Sequence, residues 1–418
     1  MVVGSPRRAR ATVFHLLVAA VLAGCGGPGQ PTVPLDRVTI GLLAPTTGSG
    51  IDALRGAQLA VDVINHSYPD LPIPLAAGDG LPGLAGRSVA LVSGDTQGTP
   101  DEGANQVAKL VANQAVAVVA ADSADVTVAV GSQTQRLRVP LVDALSTADY
   151  ITELGMDWYF RTLPSDRLLA ETAFALLQRQ FVGTAKPRVA ILAEAGAQEA
   201  AAAVLVRDLA QRAGYTVVTQ ATINELPDVS EQGKQVEQSQ VDVLLALANS
   251  RAAAAAVSRM AARAARPVAV LGFGPGFNQM PQDPGQPTVV LRTSSWSAEL
   301  AQRSPAAKAV TDLYAKRFGS PMTDTAANVF TATMTLAAAI DAAGSDDPAT
   351  IRSALRQISQ PATQMIMPWN GVRFDANGQN LLAAGVVEGR ATTGFRVVFP
   401  RELAVGPMIW TATNGAGQ

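Results

Sequence analysis

Catalysis and ligand capture need different side chains, and this 418-residue sequence is poor in the first kind. Its two histidines are His15 and His66. The first lies in an apolar leader and the second stands alone beside a turn, so neither can join a metal cluster or a Ser–His pair. Cys25 is the single cysteine and can form no intramolecular disulfide. Gly272–Gly276 follows an apolar run, but Pro275 and the absent GxGxxG spacing argue against a dinucleotide site. Asp375-Ala376-Asn377-Gly378 has the start of a calcium loop without its closing Glu, and reads as a hairpin turn. No pair of acids is singled out by spacing for glycoside chemistry. The expectation is a protein with no catalytic residue, no metal and no cofactor: not an enzyme.

Hydroxyls, by contrast, recur in loops that follow apolar runs. The loops Pro45–Gly50, Asp122–Thr127 and Ser146–Asp149 carry Thr47, Ser123, Thr127, Ser146 and Thr147. Hydroxyls beside helix N-termini suit an anionic group, because the orphan N–H donors there point the same way. Helix capping is the competing reading for Ser123 and Ser146. Phe273, Tyr159 and Trp296 are candidate walls of an apolar pocket, with core packing the alternative for each.

The elements that must position these residues alternate regularly. Val38–Ala44 reads as a buried strand, and Asp52–Asn65 places Leu54, Ala57, Val61 and Ile64 on one helical face. Strands at Ser88–Ser93, Val116–Ala120 and Leu141–Ala144 alternate with helices at Pro100–Asn113 and Thr127–Arg136. A second series restarts at Pro164-Ser165-Asp166, with helices Arg167–Phe181, Gln198–Ala213 and Arg251–Ala265. Its strands are Arg188–Leu192, Thr216–Ala221, Val241–Leu247 and Val268–Leu271. After a Gly/Pro-rich stretch, Gly272–Pro287, come strand Val289–Thr293 and helices at Ala306–Phe318, Asp324–Ala343 and Pro348–Ile358. The last part turns to β at Gly371–Phe374, Ala384–Glu388 and Phe395–Val398. This order predicts an α/β fold of two doubly wound parallel-sheet lobes. Hydrophobic residues at 48% suffice for two cores, and a net charge of −2 gives no case for nucleic acid.

The first residues carry an export pattern. Arg7, Arg8 and Arg10 precede an apolar stretch from Ala11 to Ala23, too short to span a bilayer alone. Leu22-Ala23-Gly24-Cys25 resembles the lipobox of bacterial lipoproteins, which implies lipid on Cys25 and anchoring to the outer side of the cell membrane. Residues 1–24 are then a lipoprotein signal peptide and residues 25–35 a flexible tether.

Ile40-Gly41-Leu42-Leu43-Ala44-Pro45-Thr46-Thr47-Gly48, followed by Arg55-Gly56-Ala57-Gln58-Leu59-Ala60, resembles the opening of the branched-chain amino acid (Leu/Ile/Val) binding protein family. Asp95-Thr96-Gln97-Gly98, Phe160-Arg161-Thr162 and Phe374-Asp375-Ala376-Asn377-Gly378-Gln379 match later family segments in order. The resemblance implies the type I periplasmic-binding fold, its lobes joined by a three-crossover hinge near Thr162–Asp166, Val290–Ser294 and Ile366–Trp369. Lobe 1 would comprise residues 36–163 and 292–366, lobe 2 residues 164–291 and 367–410, with a tail at 411–418. It also implies a monomeric substrate-binding subunit that hands a small solute to an ABC permease. In the family, loop hydroxyls and amides hold the ligand's carboxylate, and Ser123, Ser146 and Thr147 match those positions by type. The second lobe departs: Glu194-Ala195-Gly196-Ala197-Gln198 stands where a Tyr-Gly pair is usual, and Gly272-Phe273-Gly274-Pro275-Gly276 lacks the acid that receives an ammonium. Asp122, Asp125 and Glu194 are possible substitutes. A second reading stays open: an envelope lipoprotein that uses the same fold for regulation or protein interaction.

Overall fold

The computed structural model describes residues 37–223, 229–264, 269–278, 289–391 and 394–406, together with Met1. Residues 2–36, and with them the expected signal peptide, Cys25 and the expected tether, lie outside the described residues, as does the expected tail at 411–418.

The first half-lobe runs β1 (Val38–Ala44), α1 (Ser49–Asn65), β2 (Val89–Asp95), α2 (Pro100–Ala112), β3 (Ala115–Ala120) and α3 (Ala124–Leu137). β4 (Leu141–Asp143), the short α4 (Tyr150–Glu153) and β5 (Tyr159–Arg161) complete it. All five strands are parallel, in the order β2-β1-β3-β4-β5. Both faces are covered, so β1 and β3 are buried almost throughout, as a parallel sheet requires.

The second lobe begins with α5 (Asp166–Gln180), whose N-cap Ser165 accepts from Leu168 N just after Pro164. There follow β6 (Arg188–Glu194), α6 (Ala197–Arg212), β7 (Thr216–Ile223), α7 (Ser230–Gln238) and β8 (Val243–Leu247). The series continues with α8 (Arg251–Arg263), β9 (Ala269–Phe273), α9 (Pro275–Asn278) and β10 (Val290–Ser294). Ser250 caps α8 by accepting from Ala253 N at 3.1 Å.

The chain then returns to the first lobe through α10 (Ala298–Ala301), α11 (Pro305–Phe318), α12 (Asp324–Ala343) and α13 (Pro348–Gln357). Ser304, Thr323 and Asp347 cap the last three, each accepting from a backbone N–H three residues on. α12 is the one described helix long and apolar enough to cross a membrane, but it is mostly buried and is the central core helix of lobe 1. It lies so close to α1 that a Cβ on Gly56 would sit 2.4 Å from Ala326 O.

The small ribbon of β11 (Gln360–Pro361) and β12 (Gly371–Val372) precedes β13 (Val386–Ala391) and β14 (Gly394–Phe399). These last two join the second sheet antiparallel, giving the order β14-β13-β10-β9-β8-β6-β7. The sheet is thus parallel from β7 to β10 with an antiparallel edge. The Asp375–Gly378 segment is the expected tight turn: Asp375 Oδ1 accepts from Asn377 N and Gln379 N, and Gly378 has φ 81°.

Two of the expected lobe boundaries differ from the chain path. Val290–Ser294 is a strand of the second sheet, held between β9 and β13, so the return to lobe 1 falls after Ser294 rather than at 292. Ile366–Trp369 does not cross at all. Met365, Ile366, Met367 and Trp369 are buried in the first-lobe core, Trp369 Nε1 donates to Ser295 O at 3.0 Å, and core residues of lobe 1 continue to Ala383. The last passage to lobe 2 therefore lies between Ala383 and Val386. The first passage, after β5, is clamped by the hairpin that follows β12: Arg161 N donates to Gly378 O and Asn380 N to Arg161 O.

Candidate functional site

In an open α/β sheet, loops from neighbouring strands diverge where the strand order reverses, and a crevice opens at the carboxyl ends there. The first sheet reverses between β1 and β3, the second between β6 and β8. Residues after all four strands, or one turn into the helices that follow, meet in one cleft of about 670 Å³ between the lobes. That size suits a small molecule.

Ser123, Ser146 and Thr147 lie on its wall, brought together because β3 and β4 are adjacent. Ser123 is the N-cap residue of α3, yet its side chain makes no capping bond. The hydroxyl of Ser146 is buried and has no hydrogen-bond partner. Thr147 Oγ1 accepts from Gln198 Nε2 of α6 at 3.1 Å, a bond across the cleft.

The remaining sequence candidates stand elsewhere. Thr47 is exposed, off the lining, in the loop whose carbonyl takes Gly50 N. That loop folds tightly: a Cβ at Gly50 would lie 1.7 Å from Pro45 O. Thr127 is fully buried in the first turn of α3, behind Ser123. Phe273 belongs to the second-lobe core and Trp296 to the first, so both are packing residues among those described. Tyr159 is buried as well.

Tyr159 has a different task. Its hydroxyl donates to Asp143 Oδ2 at 2.7 Å, while Asp143 Oδ1 accepts from Leu145 N and Ser146 N, each at 3.0 Å. Arg161, wholly buried, donates through Nη1 to Ala148 O at 2.6 Å and through Nε to Gln379 Oε1 at 2.7 Å. The loop that presents Ser146 and Thr147 thus rests on a buried Asp–Tyr–Arg network. Burial pushes the Asp143 carboxyl up to about 6, against the pull of these donors and of Arg161.

Other lining residues come from elements far apart in sequence. Asp52 opens α1, Asn249 precedes α8, Asn278 ends α9 and Asp324 opens α12. Asn278 Nδ2 donates to Asp324 Oδ2 at 3.1 Å, a second bond across the cleft. Thr323 Oγ1 donates to Asp52 Oδ2 at 3.1 Å. Burial raises the Asp324 carboxyl above its ordinary value, with Arg292 opposing. Arg292 itself is held by Glu388 at 2.8 Å and by the carbonyls of Phe277 and Asn278. The signal for these residues was present as helix-start chemistry, Asn249-Ser250 before α8 and Thr323-Asp324 before α12, but only the fold shows that the two starts face one cleft. Glu194 is not a free substitute acid: its Oε2 accepts from Asn249 N and Ser250 N and fixes the loop after β8.

Residues 37–392 match the family model described as periplasmic binding protein, and the chain belongs to that family. A Leu/Ile/Val-binding protein homolog 8 from Brucella suis is 23% identical over 415 residues, covering 94% of this chain and 98% of that protein. Homolog 7 from the same organism is 22% identical, covering 88% and 91%. An ABC transporter substrate-binding protein from Desulfitobacterium hafniense, solved in complex with Leu, superposes with a TM-score of 0.70 at 20% identity. It covers 87% of this chain and all of that one. A solute-binding protein from Rhodopseudomonas palustris, solved with 3,4-dihydroxy benzoic acid, gives 0.67 at 16% identity, covering 86% and 94%. The fold is therefore the type I periplasmic-binding fold, and the family is one of solute-binding proteins.

Proposed function

We propose that this chain is the extracytoplasmic, lipid-anchored solute receptor of an ABC-type importer. A small polar or amphipathic guest enters the cleft, and the chain binds it without turning it over. The observation that carries this reading is the cleft itself: a cavity of about 670 Å³ at the switch points of both sheets, with buried hydroxyls at Ser146 and Thr293 that have no partner in the protein. A buried polar group left unpaired costs free energy, so such groups mark where a guest completes the bonding. Two lobes joined by three strands can hinge, and closure is favoured only by a guest held better shut than open. The basic-then-apolar start and the lipobox-like Leu22-Ala23-Gly24-Cys25 support anchoring through Cys25, and the likeness to an ABC transporter substrate-binding protein supports hand-over to a permease.

The test is a thermal-shift screen of the purified full-length chain in mild detergent against amino acids, amides, amines and aromatic acids. A ligand at a hundred times its Kd stabilises by about 2.7 kcal/mol, a shift of several degrees at most. A library-wide absence of any shift refutes solute capture and favours the regulatory reading.

A further inference from the structure

The type of solute is written in how the cleft's donors and acceptors are already engaged. This inference rests on the solute-capture reading above. Anion-binding loops work through backbone N–H groups left open at helix starts. Here three backbone N–H groups of the loops after β3 and β4 are taken by the protein's own carboxylates. Ser123 N donates to Asp122 Oδ1 at 2.7 Å, and Leu145 N and Ser146 N both donate to Asp143 Oδ1. Asp122 also accepts from Thr96 Oγ1. Each of the two hydroxyl loops therefore spends backbone donors on an internal carboxylate, and those donors are not open to a ligand.

The charges on the wall point the same way. Among the described residues lining the cleft, Asp52, Asp122 and Asp324 are acidic and Arg251 is basic, and Arg251 lies exposed at the rim. Deeper, the open positions are acceptors. Asn278 commits its Nδ2 to Asp324, because a carboxylate can only accept, which leaves its buried Oδ1 without a donor. Ser146 and Thr293, both more than nine-tenths buried on the lining, have hydroxyls with no partner and can accept as well as donate. Arg292 acts on Asp324 from behind the wall, but its guanidinium is held by Glu388 and two carbonyls, and it is not on the lining. Behind the wall, Asp166 and Glu199 are carboxyls raised mainly by burial and further by neighbouring acids, Asp149 for the first and Glu194, Asp166 and Asp125 for the second.

We propose that the cleft takes a cationic, hydrogen-bond-donating solute, an amine, amidine or guanidine, and disfavours a free carboxylate. A donor-rich cation satisfies Asp324, Asn278 Oδ1 and the two hydroxyls at once. A carboxylate would meet Asp122 and Asp324 as like charges in a desolvated site, which costs several-fold in affinity or more. Asp324, supplied by α12 of the first lobe, takes the part that the resemblance places in a second-lobe acid.

The experiment is calorimetric titration of the full-length chain with agmatine and putrescine against L-leucine and isovalerate. Agmatine or putrescine binds at least tenfold more tightly than leucine, and isovalerate does not bind. Asp324→Asn weakens the amine by roughly ten- to a hundredfold, the range for one charge-assisted hydrogen bond. Should that variant fail to fold, Asp52→Asn, on a partly exposed carboxylate, lowers amine affinity more than leucine affinity. Leucine or isovalerate binding as tightly as the amines, or amine affinity unchanged in the Asp variants, overturns the inference and leaves solute capture standing. No heat with any of the four, alongside a blank thermal-shift screen, overturns both.

Discussion

Replacing Arg161 by Met tests whether the cleft's first-lobe loop depends on the network beneath it. The guanidinium is fully buried and makes two short bonds, to Ala148 O (2.6 Å) and Gln379 Oε1 (2.7 Å), beside the buried carboxyl of Asp143. Met fills much of the volume but leaves two acceptors without donors and an acid without its cation. Leaving a buried acceptor without its charged donor costs about 1–3 kcal/mol, so the two together take a large part of the roughly 5–15 kcal/mol a domain usually has. Urea unfolding at pH 7.5 should show the midpoint fall at an unchanged slope. The pH dependence gives a second readout. Asp143 has a native value of about 6 against an unfolded reference of 3.8, so the native state binds its proton more tightly. Its contribution is therefore greatest below pH 4 and is lost as pH rises through 6, about 3 kcal/mol in all. Without Arg161 the anion is disfavoured further and the loss extends to higher pH. In the double variant with Asp143→Asn this pH dependence disappears, and the two costs are strongly non-additive. A loss below about 1 kcal/mol, or strict additivity, refutes the assigned role of the network.

Three further outcomes follow from the structure. Gly56→Ala must part α1 from α12, whose backbone oxygen lies 2.4 Å from the new Cβ; overpacking of about 1–3 kcal/mol exceeds the gain of about 1 kcal/mol in helix propensity, and a melting point at or above the parent's contradicts this. Thr147→Val with Asn278→Ala removes both side-chain bonds across the cleft described above; at about 1 kcal/mol each the open form gains, and X-ray scattering that shows no larger radius of gyration denies these bonds a part in closure. Cys25→Ser in the expressing cell moves the protein from the membrane to the soluble extracytoplasmic fraction, and unchanged membrane association argues against lipid at this residue.

The alternation of strands and helices was legible because parallel strands are continuous apolar runs and the helices between them are amphipathic. α7 was not: Ser-Glu-Gln-Gly-Lys-Gln-Val-Glu-Gln buries only Val236 and shows no apolar stripe. Nor was β5, three residues long, whose Tyr159 and Arg161 serve the network rather than the cleft wall. The run Met365-Ile366-Met367 carries an interior signal without saying which interior, and it caps the first-lobe core instead of crossing. Ser123, Ser146 and Thr147 could be found from their loops. Asn278 and Asp324 could not, because 46 residues of chain separate two groups that touch only when the lobes face each other. Phe273 and Trp296 show the limit of reading aromatics from sequence: size predicts burial, not which side of a wall is wet.

The return of α12 to the first lobe has a consequence for how the protein is made. β1 and β3 leave the ribosome early, but the helix that covers their apolar side is encoded some two hundred residues later. A nascent chain ending anywhere before Ala343 must keep that surface open, while the second lobe can gather most of its own strands in between. Synthesis and assembly are therefore out of step, and the early segment stays available to chaperones until the last third of the polypeptide arrives.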